Sequence, residues 1–355
     1  MTAFDSTEAA PELARAAART PHRPIRARLV ATVAAYGALA VVTCLLAPLV
    51  GSTPISFSRV FDRSIPFTDN VDAQIFFVAR MPRVLAGAVV GAALASAGVV
   101  LQALLRNPLA TPFTLGVSAG AALGAILAIS FGAAITFGPF SAVPLASLVG
   151  AILAASIVYG LATKPGRAMS TSVLLLAGVT LNSFFSALIL FVQYMSDFTE
   201  TFRTVRWLMG DLDIGSFTPV LGALPLLLAA FAVFAMLPSS LNLLSVGGEQ
   251  AATRGVDVAR VQRLAFISSA LATSAAVSLA GPIGFVGIVV PHLVRLMVGV
   301  DHRIVLPASA LFGAAFLVAC DLVARTVLAP VEVPVGVVTA MLGGPFFLWL
   351  LVRKS

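Results

Sequence analysis

Charge is scarce in this sequence: Asp, Glu, Lys and Arg together make up 10% of its 355 residues, and Lys164 and Lys354 are its only lysines. With 59% hydrophobic residues and a mean hydropathy of +1.03, the chain lies outside the range of water-soluble domains and reads as a membrane protein. Cysteine is almost absent too. Cys44 and Cys320 each sit within an apolar stretch, where an isolated thiol is expected to pack as a small buried hydrophobe and not to form a disulfide or metal pair. No GxxxxGK[ST] loop, HExxH or CxxC occurs. The chain is therefore not expected to hydrolyse ATP or act as an enzyme by itself, and no resident cofactor or metal is expected.

The formal net charge is +7, but the basic residues lie scattered in short connections, without a patch of interleaved aromatics, so nucleic acid is excluded as a partner. Residues 1–28 are polar and end in Arg23, Arg26 and Arg28. They read as a cytoplasmic tail ahead of a retained first helix, since the next apolar segment is long enough to span and carries no convincing cleavage signal.

A bilayer core demands about 20 apolar helical residues, because lipid cannot satisfy open backbone groups. Ten windows qualify: 29–49, 84–105, 113–131, 141–162, 172–193, 218–237, 264–280, 283–298, 305–328 and 334–352. The eighth is short and follows the seventh after only Gly281 and Pro282, so the pair reads as two spans, one broken element or a re-entrant turn. Eight spans are the alternative if two windows are re-entrant. Pro82, Pro112, Pro330 and Pro334 are expected to mark element limits.

With the N-terminus inside and ten alternating spans, the inner segments hold Arg15, Arg19, Arg23, Arg26, Arg28, Arg106, Lys164, Arg167, Arg254, Arg260, Arg263, Arg295, Arg303, Arg353 and Lys354. The outer ones hold only Arg59, Arg63, Arg80, Arg83, Arg203 and Arg206, with acids such as Asp211, Asp213 and Glu332. This bias places both termini inside. The outer segment 194–217 is expected to contain a short interfacial helix with Trp207 at the boundary. The inner segment 238–263 reads as one or two short helices, with Glu249 near an N-terminus and Gly255 as a C-cap, and is the best candidate for a cytoplasmic contact.

Small residues recur at helical spacing. Gly87 and Gly91 lie four apart, and "GVSAGAALG" is expected to place Gly116, Gly120 and Gly124 on one stripe for close helix crossing. Among polar groups in the spans, Asp321 and Arg325 stand four apart and can pair on one helical face. Gln102, Asn182 and Gln193 are expected to hydrogen-bond between helices or line a pathway. In "GPIGFVGIVVPHLVRL" (281–296), Gly281, Pro282, Gly284 and Gly287 suit a reversal between spans followed by close packing, with Pro291 bending the final turns. His292 lacks metal-ligand neighbours at useful spacing, so contact with a passing substrate is its only functional reading.

Several blocks in order, "ARMPRVLAGAVVGAALASAGVVLQALLRNPLATPFTLGVSAGAALGA" (79–125), "LLLAGVTLNSFFSAL" (174–188), "GEQAATRGV" (248–256), "GPIGFVGIVVPHLVRLMVGVDHR" (281–303) and "EVPVGVVTAMLGGPFFLWLL" (332–351), resemble the FecCD-type permease subunits of bacterial ABC importers for iron-siderophores, haem and vitamin B12. The resemblance implies an all-α polytopic membrane protein of type II importer architecture, with ten transmembrane helices per subunit and a permease domain over 29–353. It further implies a homodimer in the inner membrane, two cytoplasmic ATPase subunits that use ATP and Mg, and a periplasmic substrate-binding protein. By the same resemblance Arg80, Arg83 and Arg325 dock glutamates of the binding protein. Glu249, Ala252, Arg254 and Gly255 fall in the loop that couples to the ATPase, although Arg254 stands where an apolar residue is usual. Gln102, Asn182, Gly284, Gly287 and His292 are candidate pathway or helix-packing residues. Haem is the expected cargo, with a ferric siderophore or corrinoid as alternatives and an ion-coupled secondary transporter as the remote one.

Overall fold

Small side chains decide which helix occupies the centre. The computed structural model describes residues 24–132, 136–137, 140–163 and 169–354. The long helices are α1 (Ile25–Leu46), α2 (Met81–Leu105), α3 (Val117–Gly132), α4 (Ala142–Ala162) and α5 (Thr171–Met195). A short helix α6 (Phe198–Leu208) precedes α7 (Thr218–Met236). Two short helices, α8 (Pro238–Val246) and α9 (Gly248–Thr253), lead into α10 (Val258–Ala280), α11 (Val286–Val298), α12 (His302–Ala324) and α13 (Val335–Lys354). Two-residue strands, β1 (Thr136–Phe137) and β2 (Phe140–Ser141), pair antiparallel between α3 and α4. Every one of the expected windows carries a helix. Among the described residues, seven helical runs are long and apolar enough to cross a bilayer, and α3, α11 and α13 are shorter apolar helices. The tail to Arg23, Lys164 and Arg167 lie outside the described residues.

The most apolar window of the run through α2 is 78% buried inside the protein, whereas that of α1 is only 11% buried and lies at the periphery. α2 is central because glycine lets its neighbours reach its backbone. A Cβ on Gly91 would strike the Gly313 backbone in α12, and one on Gly98 would strike Gly287 in α11. Gly120 meets Gly150 in the same way, drawing α3 against α4. These stripes pack helices within one subunit. Gly116 departs from the expected pattern: it has φ +77° and closes the 3-10 turn Pro112–Leu115 before α3 begins, so its backbone rests on Gly178 of α5 instead of extending the α3 stripe.

The second span begins well before its expected start. Residues Val71–Leu105 form one helical run, in which Ile75–Arg80 is π-wound and Met81 N–H reaches back to Phe76 O. Pro82 is therefore inside the run and does not limit it. In α geometry its ring would strike the Val78 carbonyl, and the widened turn beforehand relieves that conflict.

The pair at 264–298 resolves into two elements. α10 starts at Val258, earlier than expected, because Asp257 caps it by accepting from Arg260 N at 3.0 Å. The chain turns at Gly281 (φ +66°), runs through Gly284 without regular structure and enters α11 at Phe285 (φ +66°). A left-handed phenylalanine is strained, and its side chain packs directly against Gly343 of α13. The 13 residues of α11 rise about 20 Å. That is shorter than a hydrocarbon core of about 30 Å. Pro291 lies inside α11, not at its end.

Candidate functional site

Polar groups gather at the two ends of the helix bundle. One end holds a cavity of about 710 Å³ between the start of α2, the end of α6 and the α12–α13 connection. Its walls include Arg80, Arg83, Arg206, Asp211, Asp213, Arg325 and Glu332. The opposite end holds a cavity of about 600 Å³ lined by residues from 102–108, 242–246 and 295–302. The expected outer segments thus meet at one end and the expected inner segments at the other, matching the alternation derived from charge.

The structure brings Arg80, Arg83 and Arg325 into the first cavity, yet all three are buried. Arg83 Nε donates to Asp321 Oδ1 at 2.8 Å and its Nη1 donates to Glu332 Oε2 at 2.6 Å. Arg325 Nη2 donates to Ala47 O at 2.7 Å, while its Nε stands 3.5 Å from Asp321 Oδ2, an ion pair without hydrogen-bond geometry. Arg80 donates to the carbonyls of Pro48 (2.9 Å) and Thr53. The Asp321–Arg325 pairing expected from spacing is present, but the closer partner of Asp321 is Arg83, 238 residues away in sequence. With 1% exposure, Asp321 is the buried counter-ion that allows two arginines to sit beneath the surface. Glu332 is different: its side chain is 42% exposed, so it can move while Asp321 cannot.

Around this buried cluster lies a more open one. Asp197 accepts from Glu200 N at 2.7 Å and starts α6, the expected interfacial helix, with Trp207 half-buried near its end. Arg206 Nη2 contacts Asp211 at 3.1 Å and Asp213 at 3.5 Å. Gly210 (φ +75°) then turns the chain inward, and Asp211 N donates to Ala280 O at 2.8 Å. This holds Arg206 and its acids over the same cavity. In the sequence these charges are visible only as members of an outer loop. Their convergence depends on contacts between segments far apart in the chain.

At the other end, α9 presents Glu249, Ala252, Arg254 and Gly255 on an exposed surface, with Glu249 in its first turn. Gly255 (φ +82°) donates to Ala252 O at 2.9 Å and Val256 N donates to Ala251 O at 3.1 Å. That is the paired backbone closure of a Schellman motif, which needs a left-handed residue at Gly255. Buried Ala251 anchors the helix from beneath. The six-residue α9 is thus held in shape by its C-terminal closure while its outer face stays free for a partner.

The candidate pathway residues do not form one site. Gln102 Nε2 donates to Gly287 O at 2.9 Å, joining α2 to α11, and Asn182 Nδ2 donates to Phe113 O at 2.7 Å. Gly287 is a backbone contact against Gly98, while Gly284 has open space around it. His292 packs its ring edge-on to Phe346 of α13, with centroids 6.1 Å apart. Among the described residues, no group of three or more His, Cys, Asp or Glu could hold a metal ion.

A family model for the FecCD transport family matches residues 39–353. The chain is 42% identical over 297 residues to a cobalamin import system permease of Halobacterium salinarum, covering 84% of this chain and 78% of that protein. It is 37% identical over 329 residues to a hemin transport system permease of Yersinia pestis, covering 89% and 93% respectively. A solved structure of a transporter assigned to the metal-chelate ABC type, in an inward-facing conformation, superposes with a TM-score of 0.78 at 33% identity, covering 91% of this chain and 99% of the other.

Proposed function

The chain belongs to the FecCD transport family, and from that premise we propose that it is the membrane-spanning permease subunit of an ATP-driven importer that carries haem inward by alternating access. The observation that carries this reading is the family match across residues 39–353, which takes in both polar ends of the bundle. The haem assignment is supported by the hemin permease of Y. pestis, matched over 93% of its length. The cobalamin permease of H. salinarum, at 42% identity, favours a corrinoid as the second reading. The experiment that separates them is a binding screen of the partner substrate-binding protein against haem, ferric siderophores and corrinoids. Selective retention of haem is expected; selective retention of another class would overturn the cargo.

In this reading two copies of the chain sit in the inner membrane with both termini in the cytoplasm. A separate ATPase subunit beneath each copy binds ATP and Mg. Segment 238–263 meets the ATPase through the exposed face of α9. A periplasmic binding protein docks at the opposite end, where its carboxylates engage Arg80, Arg83 and Arg325. Support comes from the shared cavity and from the two forms in which arginine is held there. Among the described residues, Arg80 has only backbone carbonyls as hydrogen-bond partners. Arg83 shares its fork with the movable Glu332, which an incoming carboxylate can replace. Arg80→Gln is accordingly expected to weaken docking severalfold, with the difference shrinking as salt rises. Equal complex affinity at low and moderate salt would remove Arg80 from the docking surface.

A further inference from the structure

Two buried or half-buried arginines at opposite ends of the bundle have opposite surroundings. Arg83 at the outer end is held by two carboxylates. Arg295, near the end of α11, projects into the inner cavity of about 600 Å³. Burial partly desolvates its guanidinium, the His302 ring on the same wall lies within its electrostatic reach, and among the described residues its side chain forms no ion pair with a carboxylate and no hydrogen bond. A partly desolvated cation left in this state is costly unless an anion joins it.

The acid nearest in sequence is already engaged. Asp301 Oδ1 accepts from Asn242 Nδ2 at 2.7 Å and from Arg303 N at 3.0 Å, which fixes it as the cap of α12. Asn242 Oδ1 in turn takes the His302 backbone N–H at 2.9 Å and lies 2.7 Å from its ring Nδ1. This network locks one wall of the cavity without supplying a counter-ion to Arg295. Arg106 stands on the same cavity wall and is exposed. Against the single Asp301 carboxylate, the two guanidiniums leave the lining net positive, with the forked donors that match phosphate oxygens.

Two aliphatic side chains of the lining are open to the outside: Val246 and Val300 are 66% and 74% exposed. A basic recess bounded by exposed aliphatic side chains, at the cytoplasmic end of a membrane bundle, suits an amphiphile with an anionic head. We propose that this cavity binds the phosphate of an anionic phospholipid from the inner leaflet, with Arg295 and Arg106 on the headgroup and the aliphatic border against an acyl chain. The proposal uses the orientation derived from charge and is independent of the cargo.

The test is native mass spectrometry of the full-length permease in detergent, titrated separately with dioleoyl phosphatidylglycerol, dioleoyl phosphatidylcholine and inorganic phosphate. Phosphatidylglycerol is expected to be retained about tenfold more tightly than phosphatidylcholine. Arg295→Gln should remove most of that preference, and Arg106→Gln, at an exposed position that folding tolerates, should lower it severalfold. Arg303→Gln, exposed and outside the cavity wall, should leave it intact. Equal retention of both lipids, an equal loss in Arg303→Gln, unchanged retention in Arg295→Gln and Arg106→Gln, or occupancy by inorganic phosphate with no lipid retained would each overturn the proposal.

Discussion

Asp321→Ala is expected to cost the permease about 3–5 kcal/mol of stability, the range for removing one member of a buried ion pair. Two guanidiniums depend on this carboxylate: Arg83 at 2.8 Å and Arg325 at 3.5 Å, with exposed fractions of 8% and 4% for their side chains. Removing it leaves both cations beneath the surface with only Glu332 and backbone carbonyls for compensation. Asp321→Asn keeps an oxygen that can accept from Arg83 but loses the charge, so its loss should be intermediate. Glu332→Gln provides the contrast, because that side chain is 42% exposed and an exposed pair contributes under about 1 kcal/mol. Thermal inactivation of the purified variants, followed by size-exclusion chromatography, should rank them as Ala below Asn below Gln at position 332. An Asp321→Ala protein as stable as the parent would mean that the cluster does not hold the outer ends of α2 and α12 together.

The second large effect is expected at Gly255. Its φ of +82° lies where a β-branched side chain is strongly disfavoured, yet a Cβ there would meet open space. A substitution consequently acts through backbone conformation and not through a steric clash. Gly255→Val should open the closure made by Gly255 N–H to Ala252 O and Val256 N–H to Ala251 O, and so misplace the exposed face of α9. A left-handed penalty of about 1–2 kcal/mol corresponds to roughly a tenfold shift in population. In vesicles reconstituted with the ATPase and binding protein, uptake should fall by about that factor while ATP hydrolysis persists. Gly255→Asn, which accepts the left-handed conformation more readily, should retain most of the uptake. Full uptake with normal ATP consumption in Gly255→Val would take α9 out of the coupling path.

Local patterns in the sequence were sufficient for much of this architecture. Apolar length located a helix in every window, because a membrane admits few other backbone solutions. The i, i+4 spacing revealed the Asp321–Arg325 pair, and the glycine after a short polar helix revealed the closure at Gly255. Features made by distant segments were not legible in that way. Nothing near Arg83 in sequence indicates Asp321 or Glu332, and nothing near Arg206 indicates that Gly210 will turn its loop against Ala280. Gly116 carried a misleading signal, since its spacing from Gly120 fits a helix while the capped turn at Pro112–Leu115 gives it φ +77°. Phe285 carried none: the surrounding glycines suggested where the chain would bend, but the left-handed entry to α11 falls on a phenylalanine packed against Gly343. The opening of α2 was hidden by Pro82, whose usual role as a boundary is overridden by the π-wound turns before it.

The same division applies to the arginines at the outer end. Resemblance placed Arg80, Arg83 and Arg325 together, and the structure gives them a common cavity. Their burial could not be inferred from the short motifs, because it depends on Asp321 and on carbonyls of residues 47, 48 and 53. In the proposed docking, that burial would present an incoming carboxylate with arginines already oriented by the protein. Less side-chain freedom then remains to be lost on binding.

The most direct measurement is haem accumulation in proteoliposomes containing the permease and its ATPase, with the binding protein on the outer side and ATP available to the ATPase. Uptake is expected to require both the binding protein and hydrolysable ATP and to continue after ion gradients have been collapsed. Uptake that proceeds without ATP and follows an imposed ion gradient would contradict the ATP-driven reading.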